Sequence, residues 1–507
     1  MVPPSRCPDG TRCLDDTAKC HDGNARALKD SSIVRTLFLH PPSYDGFDGG
    51  AGARYQMKRE VRSFWYPTWL AQPAALVEGS KLIDAPPHRL KFDGIAPELN
   101  NRDLVVMHTS TPSFKADVRT AERIKTVKPD IKIGFIGAKV AVEPEKSLIA
   151  APAVDFVARN EFDFTIKEVA DGRPWKDIKG LSYRNPAGVI VHNENREVLE
   201  NMDALPWVTP VYKRDLTIEN YFGGYLLHPY ISFYTGRGCK SRCTFCLWPQ
   251  TVGGHRYRVR SVEDVVGEMK WAKDAFPQVK EFFFDDDTLT DNLPRVEALA
   301  KELGKLGVTW SCNAKANVPR RTLEVMKDNG LRLLLVGYES GNQQILFNIK
   351  KGMRVEFARR FTKDCHELGI VIHGTFILGL PGETRETIQE TLDFAKEINP
   401  HTIQVSLAAP YPGTFLYRQA KENGWLYNEE IDLLTQEGTQ IAPLNYPHLS
   451  HTEIFASVED FYRKFYFRPS KIASIVAEMI ASPAMMKRRL REGIEFFQFL
   501  RSRRDAA

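Results

Sequence analysis

Eight cysteines in 507 residues are too few for a secreted disulfide framework. Five of them, Cys7, Cys13, Cys20, Cys312 and Cys365, follow no scaffold spacing. Long apolar runs are missing too: no stretch reaches the roughly 20 residues a bilayer-spanning helix needs, so a transmembrane placement is not expected. The first thirty or so residues are polar and lack the apolar core of a secretory signal, so a disordered extension over 1–31 is expected. Cys7, Cys13, Cys20 and His21 fall inside it and match no zinc pattern. A strong excess of one charge is absent, the net charge being +5, and no RNA-reading motif occurs, so nucleic acid is not an expected partner. What positive charge there is crowds the end. Lys487, Arg488, Arg489, Arg491, Arg501, Arg503 and Arg504 alternate with Met485, Met486, Leu490, Ile494, Phe496, Phe497, Phe499 and Leu500. A basic aromatic helix suits peripheral contact with an anionic membrane; the competing reading packs its apolar side on the preceding domain.

The remaining cysteines stand together. Cys239, Cys243 and Cys246 form C-x3-C-x2-C between a strand-like stretch, Tyr230 to Tyr234, and a helical one. Three thiolates on one short loop can hold three corners of a cubane iron-sulfur cluster, and with no fourth ligand nearby one iron stays open. The alternative is a zinc knuckle completed by a distant His228 or His255, which lacks the usual paired spacings. The triplet, with Phe245 between its last two cysteines, resembles the cluster loop of the radical S-adenosylmethionine (SAM) superfamily. That resemblance implies a [4Fe-4S] cluster, SAM chelated at the open iron, and a 5′-deoxyadenosyl radical made by one-electron reduction of the sulfonium. It also implies a reductant such as flavodoxin or ferredoxin. An open iron needs reducing surroundings, so a cytoplasmic, or membrane-peripheral, protein is expected.

Strand-like runs alternate with helical stretches along most of the chain, and short buried runs of this kind predict parallel sheets. The expected fold is α/β in two units. A doubly wound, Rossmann-like domain of the cobalamin-binding type spans 32–185, with strands at Val34–Leu39, Lys81–Ala85, Asp103–His108, Ile131–Ile136 and Val154–Ala158. A Pro-interrupted linker covers 186–225, an open (βα)6 partial TIM barrel 226–430, and a helical C-terminal region 431–507. Ligands in doubly wound sheets bind beyond the strands' carboxyl ends, which here carry Thr109 to Ser113 with Thr111, Gly137-Ala138 and Glu161. The domain resembles the cobalamin-binding domain of one radical SAM class, which marks Thr111, Gly137, Ala138 and Glu161 as candidate cobalamin contacts. No D-x-H-x-x-G occurs, so the axial histidine of the related mutases is missing and cobalamin is left open.

Barrel active sites sit at the carboxyl ends of the strands, and the cluster loop falls there. So do four further motifs: Asp285-Asp286-Asp287, Asn313-Ala314-Lys315, Gly337-Tyr338-Glu339-Ser340 and Gly379-Leu380-Pro381-Gly382. Carboxylates accept hydrogen bonds from amino and ribose groups, a lysine pairs with a carboxylate, and glycine lets backbone approach a base. The resemblance assigns Asp286, Asp287, Asn313, Lys315, Glu339, Ser340 and Gly379 to SAM binding. Cys312 lies near the site as a hydrogen-atom donor or, more simply, a buried structural cysteine.

The stretches Val34 to Gly52 and Ser63 to Leu70 resemble the hopanoid-biosynthesis-associated radical SAM proteins. That family implies a lipid substrate and formation of the bacteriohopanetetrol cyclitol ether from a glucosaminyl precursor. Tyr44, Phe47, Tyr55, Phe64, Trp65, Tyr66 and Trp69 could line a cavity for it, although clustered aromatics are more often core. The first alternative is a cobalamin-dependent radical SAM methyltransferase. A non-catalytic electron carrier is the second, and it would have no use for the strand-end motifs.

Overall fold

Runs of β-branched and aromatic residues bounded by polar turns settle as strands and sort into two sheets. The structure, a computed structural model, describes residues 34–42, 61, 63–428, 433–435, 438–481 and 483–505. Expectations about the extension, its cysteines and His21, and about Tyr44, Phe47 and Tyr55 lie outside the described residues.

The first sheet contains β1 (Thr36–His40), β2 (Lys81–Asp84), β3 (Leu104–His108), β4 (Lys132–Ile136), β5 (Phe156–Ala158), β6 (Leu181–Arg184) and β7 (Ile190–His192). Their order is β2-β1-β3-β4-β5-β6-β7, with β1 to β5 parallel. Every residue of β1 and β3 is buried, as helices on both faces require. The order reverses between β1 and β3, which makes that crevice the switch point. The antiparallel pair β6–β7 carries this sheet past 185, into the stretch expected to be linker. Pro186 and Gly188 belong to its turn, which Asn185 closes by accepting from the N–H groups of Ala187 and Val189, both at 3.0 Å.

The second sheet is the half barrel. A two-residue ribbon, β9 (Gly236–Arg237) with β10 (Arg258–Val259), follows its first strand β8 (Tyr230–Phe233) and clasps the base of the cysteine loop. The other strands are β11 (Glu281–Phe284), β12 (Trp310–Ala314), β13 (Leu331–Glu339), β14 (Val371–Leu378) and β15 (Thr402–Leu407). All six run parallel in the order β8-β11-β12-β13-β14-β15, so β8 and β15 are its open edges. Helices follow the strands with conventional caps: Ser261 accepts from the N–H of Asp264, and Thr384 forms a capping box with Thr387. The exposed edge β15 is covered by the C-terminal region. Val405 and Ile403 donate their N–H groups to the hydroxyls of Tyr462 and Tyr466 at 2.7 and 3.0 Å, and Leu407 donates to Gln440.

One buried core runs through both sheets. At their junction Tyr66 stacks on Tyr221 with ring centroids 4.1 Å apart, and its hydroxyl donates to the Tyr230 carbonyl. Phe64 and Trp69 are therefore core, as expected for clustered aromatics, whereas Trp65 and the buried Tyr66 also border a cavity. Two buried ion pairs lock the units: Arg237 forks onto Asp163, and Arg258 onto Glu161 at 2.6 and 2.8 Å. Each joins the cysteine-loop ribbon to the end of the first sheet.

Candidate active site

The cysteine loop is held by side chains of its neighbours. Gln250 donates from Nε2 to the carbonyls of Cys243, Thr244 and Cys246, at 3.2, 3.2 and 2.8 Å. Asp286 accepts from the N–H and hydroxyl of Thr235 just before the loop, and Arg295 donates to the Thr235 carbonyl and hydroxyl. The two histidines a zinc knuckle would need are engaged elsewhere. His255 meets the Ser241 carbonyl at 2.9 Å and His228 that of Tyr221 at 3.1 Å. Among the described residues no three His, Cys, Asp or Glu side chains gather tightly enough for one metal ion. Three thiols and no fourth ligand fit three corners of a cubane cluster better than a single zinc.

The electrostatics of the loop agree with such a guest. Burial pushes the Cys246 thiol well up, and the Asp287 carboxylate and the other two thiols add to it. Burial likewise raises Cys243, with the Lys351 ammonium opposing. Cys243 and Cys246, both pushed up in this way, become thiolates most readily when a metal compensates their charge. Burial would lower the Lys351 pKa, but Glu339 and Cys243 outweigh it and hold the ammonium above its ordinary range.

Beside the loop lies a cavity of about 320 Å³ lined by Phe245, Cys246, Asp285, Asn313, Glu339, Thr375 and Ser406, among others. It is the lumen of the half barrel. Asn313 donates to the Asp286 carbonyl at 2.8 Å, which fixes its side chain, and Tyr234 donates to Asp285. Glu339 sits in the left-handed region at φ 63° where the β13–β14 pairing shifts register, a strained conformation of the kind that collects at functional sites. Its carboxylate takes Lys351 at 2.6 Å. A Cβ on Gly337 would lie 2.4 Å from the Glu339 Oε1 and 2.9 Å from the Lys351 Nζ, so any side chain there would displace the ends of that pair.

Other candidates from the sequence lie near the lumen without lining it. Asp286 is fully buried and committed to Thr235 and to the Tyr257 hydroxyl, so within its triplet Asp285 takes the cavity and Asp287 faces Cys246. Lys315 pairs with Asp291 at 2.5 Å, and that carboxylate also accepts from the N–H of Lys240 in the cysteine loop. Ser340 is buried against the Thr391 hydroxyl. Gly379 turns at φ 84° against Ile454 and donates to Glu383, a turn and packing position. Cys312 is fully buried; alternation along β12 puts it with Trp310, on the side away from Asn313. Trp65, one of the aromatics named from the sequence as cavity candidates, does line it, whereas Tyr225, Gln404 and Gln440 were missed, and no local pattern marks them.

At the carboxyl ends of the first sheet the polar residues close on themselves. Thr109 and Ser113 both donate to Asp117 at 2.7 Å, and burial pushes that carboxyl up to about 7. Thr111 stands half-exposed on this loop. Gly137, at φ 121°, and Ala138 begin the next helix; a Cβ at Gly137 would strike the Thr109 carbonyl at 2.2 Å. Glu161 is not free to take a ligand: Arg258 occupies its carboxylate and the N–H of Leu199 donates to it. Two buried ring nitrogens nevertheless have no partner, His108 Nε2 and Trp69 Nε1. Both rings pack on Trp248, with centroids 6.4 and 4.8 Å away. Orphaned buried nitrogens of this kind fit a polar group in the crevice between the units.

A family model described as the Radical SAM superfamily matches residues 233–395, which hold the cysteine loop and β11 to β14. An uncharacterized methyltransferase of Pyrococcus horikoshii is 30% identical over 459 residues, covering 88% of this chain and 95% of that protein. The anaerobic magnesium-protoporphyrin IX monomethyl ester cyclase of Rubrivivax gelatinosus is 25% identical over 464 residues, 85% of this chain and 77% of its own. Among solved structures, the radical SAM methyltransferase TsrM of Kitasatospora setae, with cobalamin and a [4Fe-4S] cluster bound, superposes with a TM-score of 0.62. At 15% identity that match covers 94% of this chain and all 100% of TsrM. The chain belongs to the radical SAM superfamily, and it is an enzyme that needs a [4Fe-4S] cluster and SAM.

Proposed function

We propose that the chain is a cobalamin-dependent radical SAM enzyme of the methyl-transferring kind. The observation that carries this is the near full-length match to the Pyrococcus methyltransferase, in which both units take part. The fold shared with cobalamin-loaded TsrM supports it. In this reading Cys239, Cys243 and Cys246 hold the cluster, and Gln250 fixes their loop. Asn313, Glu339 and Asp285 hold polar groups of SAM at the lumen wall, while Lys351 orients the Glu339 carboxylate. Asp286, Ser340, Lys315 and Gly379 position these groups without touching them. Thr111, Gly137 and Ala138 would hold a corrin at the first sheet's edge, beside the orphaned nitrogens. Once bound, the cluster and cobalamin supply the reducing electron and the methyl group. Trp65, Tyr66, Phe245 and Phe376 exclude water from the lumen.

A second reading is tailoring of a hopanoid side chain, in which the cyclitol ether of bacteriohopanetetrol forms from a glucosaminyl precursor. The likeness to a cyclase over most of the chain favours it, as do the Val34 to Gly52 and Ser63 to Leu70 stretches. Anaerobic turnover by the reconstituted enzyme with SAM, dithionite and a glucosaminyl hopanoid, with and without methylcobalamin, separates the two. S-adenosylhomocysteine and a product heavier by one methyl support methyl transfer. Cobalamin-independent cyclitol ether with 5′-deoxyadenosine would replace it with the second reading.

A further inference from the structure

One carboxylate joins the cysteine loop to the end of the third barrel strand. Asp291 closes the short turn Leu289–Asp291 that follows β11, and its two oxygens diverge. Oδ1 takes the Lys315 ammonium, just past β12, at 2.5 Å. Oδ2 accepts from the N–H of Lys240 at 3.1 Å and lies 3.7 Å from the Cys239 sulfur. The Lys240 ammonium donates back to the Asp291 carbonyl at 3.0 Å, so turn and loop hold each other twice. The Thr288 hydroxyl stands 3.8 Å from the same sulfur.

A carboxylate is more than this tether requires. Gln250 already anchors the carbonyls of Cys243 and Cys246, and a neutral amide oxygen at 291 would accept from Lys240 as well. What the carboxylate adds is charge. The reduced form of a cluster holds one electron more than the oxidised form, so a neighbouring anion disfavours it and a neighbouring cation favours it. Asp291 and Lys315 supply one of each, with side chains only 6% and 20% exposed, and solvent screens such charges poorly. The reach of the ammonium extends to the next ligand: burial raises the Cys243 thiol, and Lys315 is among the charges that oppose it.

We propose that Asp291 and Lys315 are positioning residues that set the reduction potential of the cluster through Cys239, the carboxylate lowering it and the ammonium limiting how far. The inference rests on the three cysteines holding the cluster. It departs from the family resemblance, which gives Lys315 to SAM, because Asp291 already engages that ammonium. Groups that hydrogen-bond to or charge the ligands of a metal tune it without touching it.

The reconstituted full chain, without SAM, is titrated with dithionite at controlled potential. The paramagnetic signal of the reduced cluster gives the midpoint for wild type, Asp291→Asn, Lys315→Met and the double variant. Asp291→Asn removes the anion and frees the cation. Its midpoint should rise by about 59 mV or more, a tenfold larger ratio of reduced to oxidised cluster at a fixed poise. Lys315→Met leaves the anion unopposed, and its midpoint should fall. The double variant loses both charges and should lie between the two. Opposite shifts are the signature of charge, since a loop merely loosened would not move in two directions. Equal midpoints in all four chains, or shifts of one sign, would overturn the inference. Should Asp291→Asn retain too little iron to titrate, Lys315→Met decides alone, because it keeps the Lys240 tether; a midpoint there that stays or rises is the overturning result. An unchanged midpoint with a raised KM for SAM in Lys315→Met would return that lysine to SAM. A wild-type chain that takes up no cluster overturns the reading on which the inference stands, whereas unshifted midpoints in loaded chains overturn the inference alone.

Discussion

At the carboxyl end of β3, Thr109, Ser110 and Ser113 direct their hydroxyls to one another and to Asp117. At the carboxyl ends of β11 to β13, Asp285, Asn313 and Glu339 face an open lumen. Both sets sit where parallel sheets put their ligand groups, and both are small or polar. The difference is curvature. The second sheet curls, so its strand ends enclose a space of their own. The first is covered at its ends by the barrel, through Trp69, Trp248 and the Arg237 and Arg258 ion pairs. A cofactor at the first sheet is therefore held between units, and one at the second within a unit.

The largest effect that sharpens this contrast is at the cysteine loop. Cys243→Ala should leave a folded chain without cluster absorbance and without 5′-deoxyadenosine from SAM; retained SAM cleavage would remove the loop from the site. Next is the junction. Arg258→Met leaves the buried Glu161 carboxylate only the Leu199 N–H and Arg237 at 3.9 Å, and removing one partner of a buried pair costs about 3–5 kcal/mol. Arg258→Met/Glu161→Leu should recover most of that in denaturant unfolding, and no recovery would mean that the pair does not act as a unit. Gly337→Ala pushes a methyl into the Glu339–Lys351 pair. Overpacking of this kind costs about 1–3 kcal/mol, and the KM for SAM should rise more than kcat falls. An unchanged KM would place Glu339 away from SAM.

The smallest effect belongs to the first sheet. Burial, with the neighbouring His40 adding to it, lowers the His108 pKa to about 3 from an ordinary 6.5. Its folded pKa lies below its unfolded one, so the unfolded state binds more protons and stability falls as pH drops from about 6.5 toward 3. His108→Phe should flatten that decline and add about 1 kcal/mol at neutral pH by removing an unpaired nitrogen. If the variant also lost cobalamin absorbance after reconstitution, the ring would belong to the cofactor site rather than to a plain core position. The Asp117 carboxyl, raised to about 7, has the opposite sign and loses stability as pH rises toward neutrality, so the comparison is made between variant and wild type at each pH.

The strands of both sheets were legible because short apolar runs between polar turns are a local signal. So were the cysteine loop and the strand-end motifs, since a loop that holds three metal ligands must carry them within a few residues. The β6–β7 hairpin was not, because Pro186 and Gly188 read as a break when they form its turn. Nor could the run Asp285-Asp286-Asp287 say which carboxylate enters the lumen. The triplet lies past Phe284, the last paired residue of β11, and only distant neighbours decide its roles: Thr235 and Tyr257 claim Asp286, Cys246 lies by Asp287, and Asp285 is left to the cavity. Glu161 looked like a ligand by its place at a strand end, yet Arg258, almost a hundred residues away, claims it.

What the sequence determined by itself is what local spacing can carry: parallel strands and three cysteines on one short loop at a strand end, with the radical SAM reading of that loop and of the neighbouring motifs implied by the family resemblance. Tertiary structure alone decided which polar groups face the lumen and where Trp65, Tyr225 and Gln440 close it. Those outcomes depend on sheet curvature and on contacts between residues hundreds of positions apart, and no window of sequence contains them.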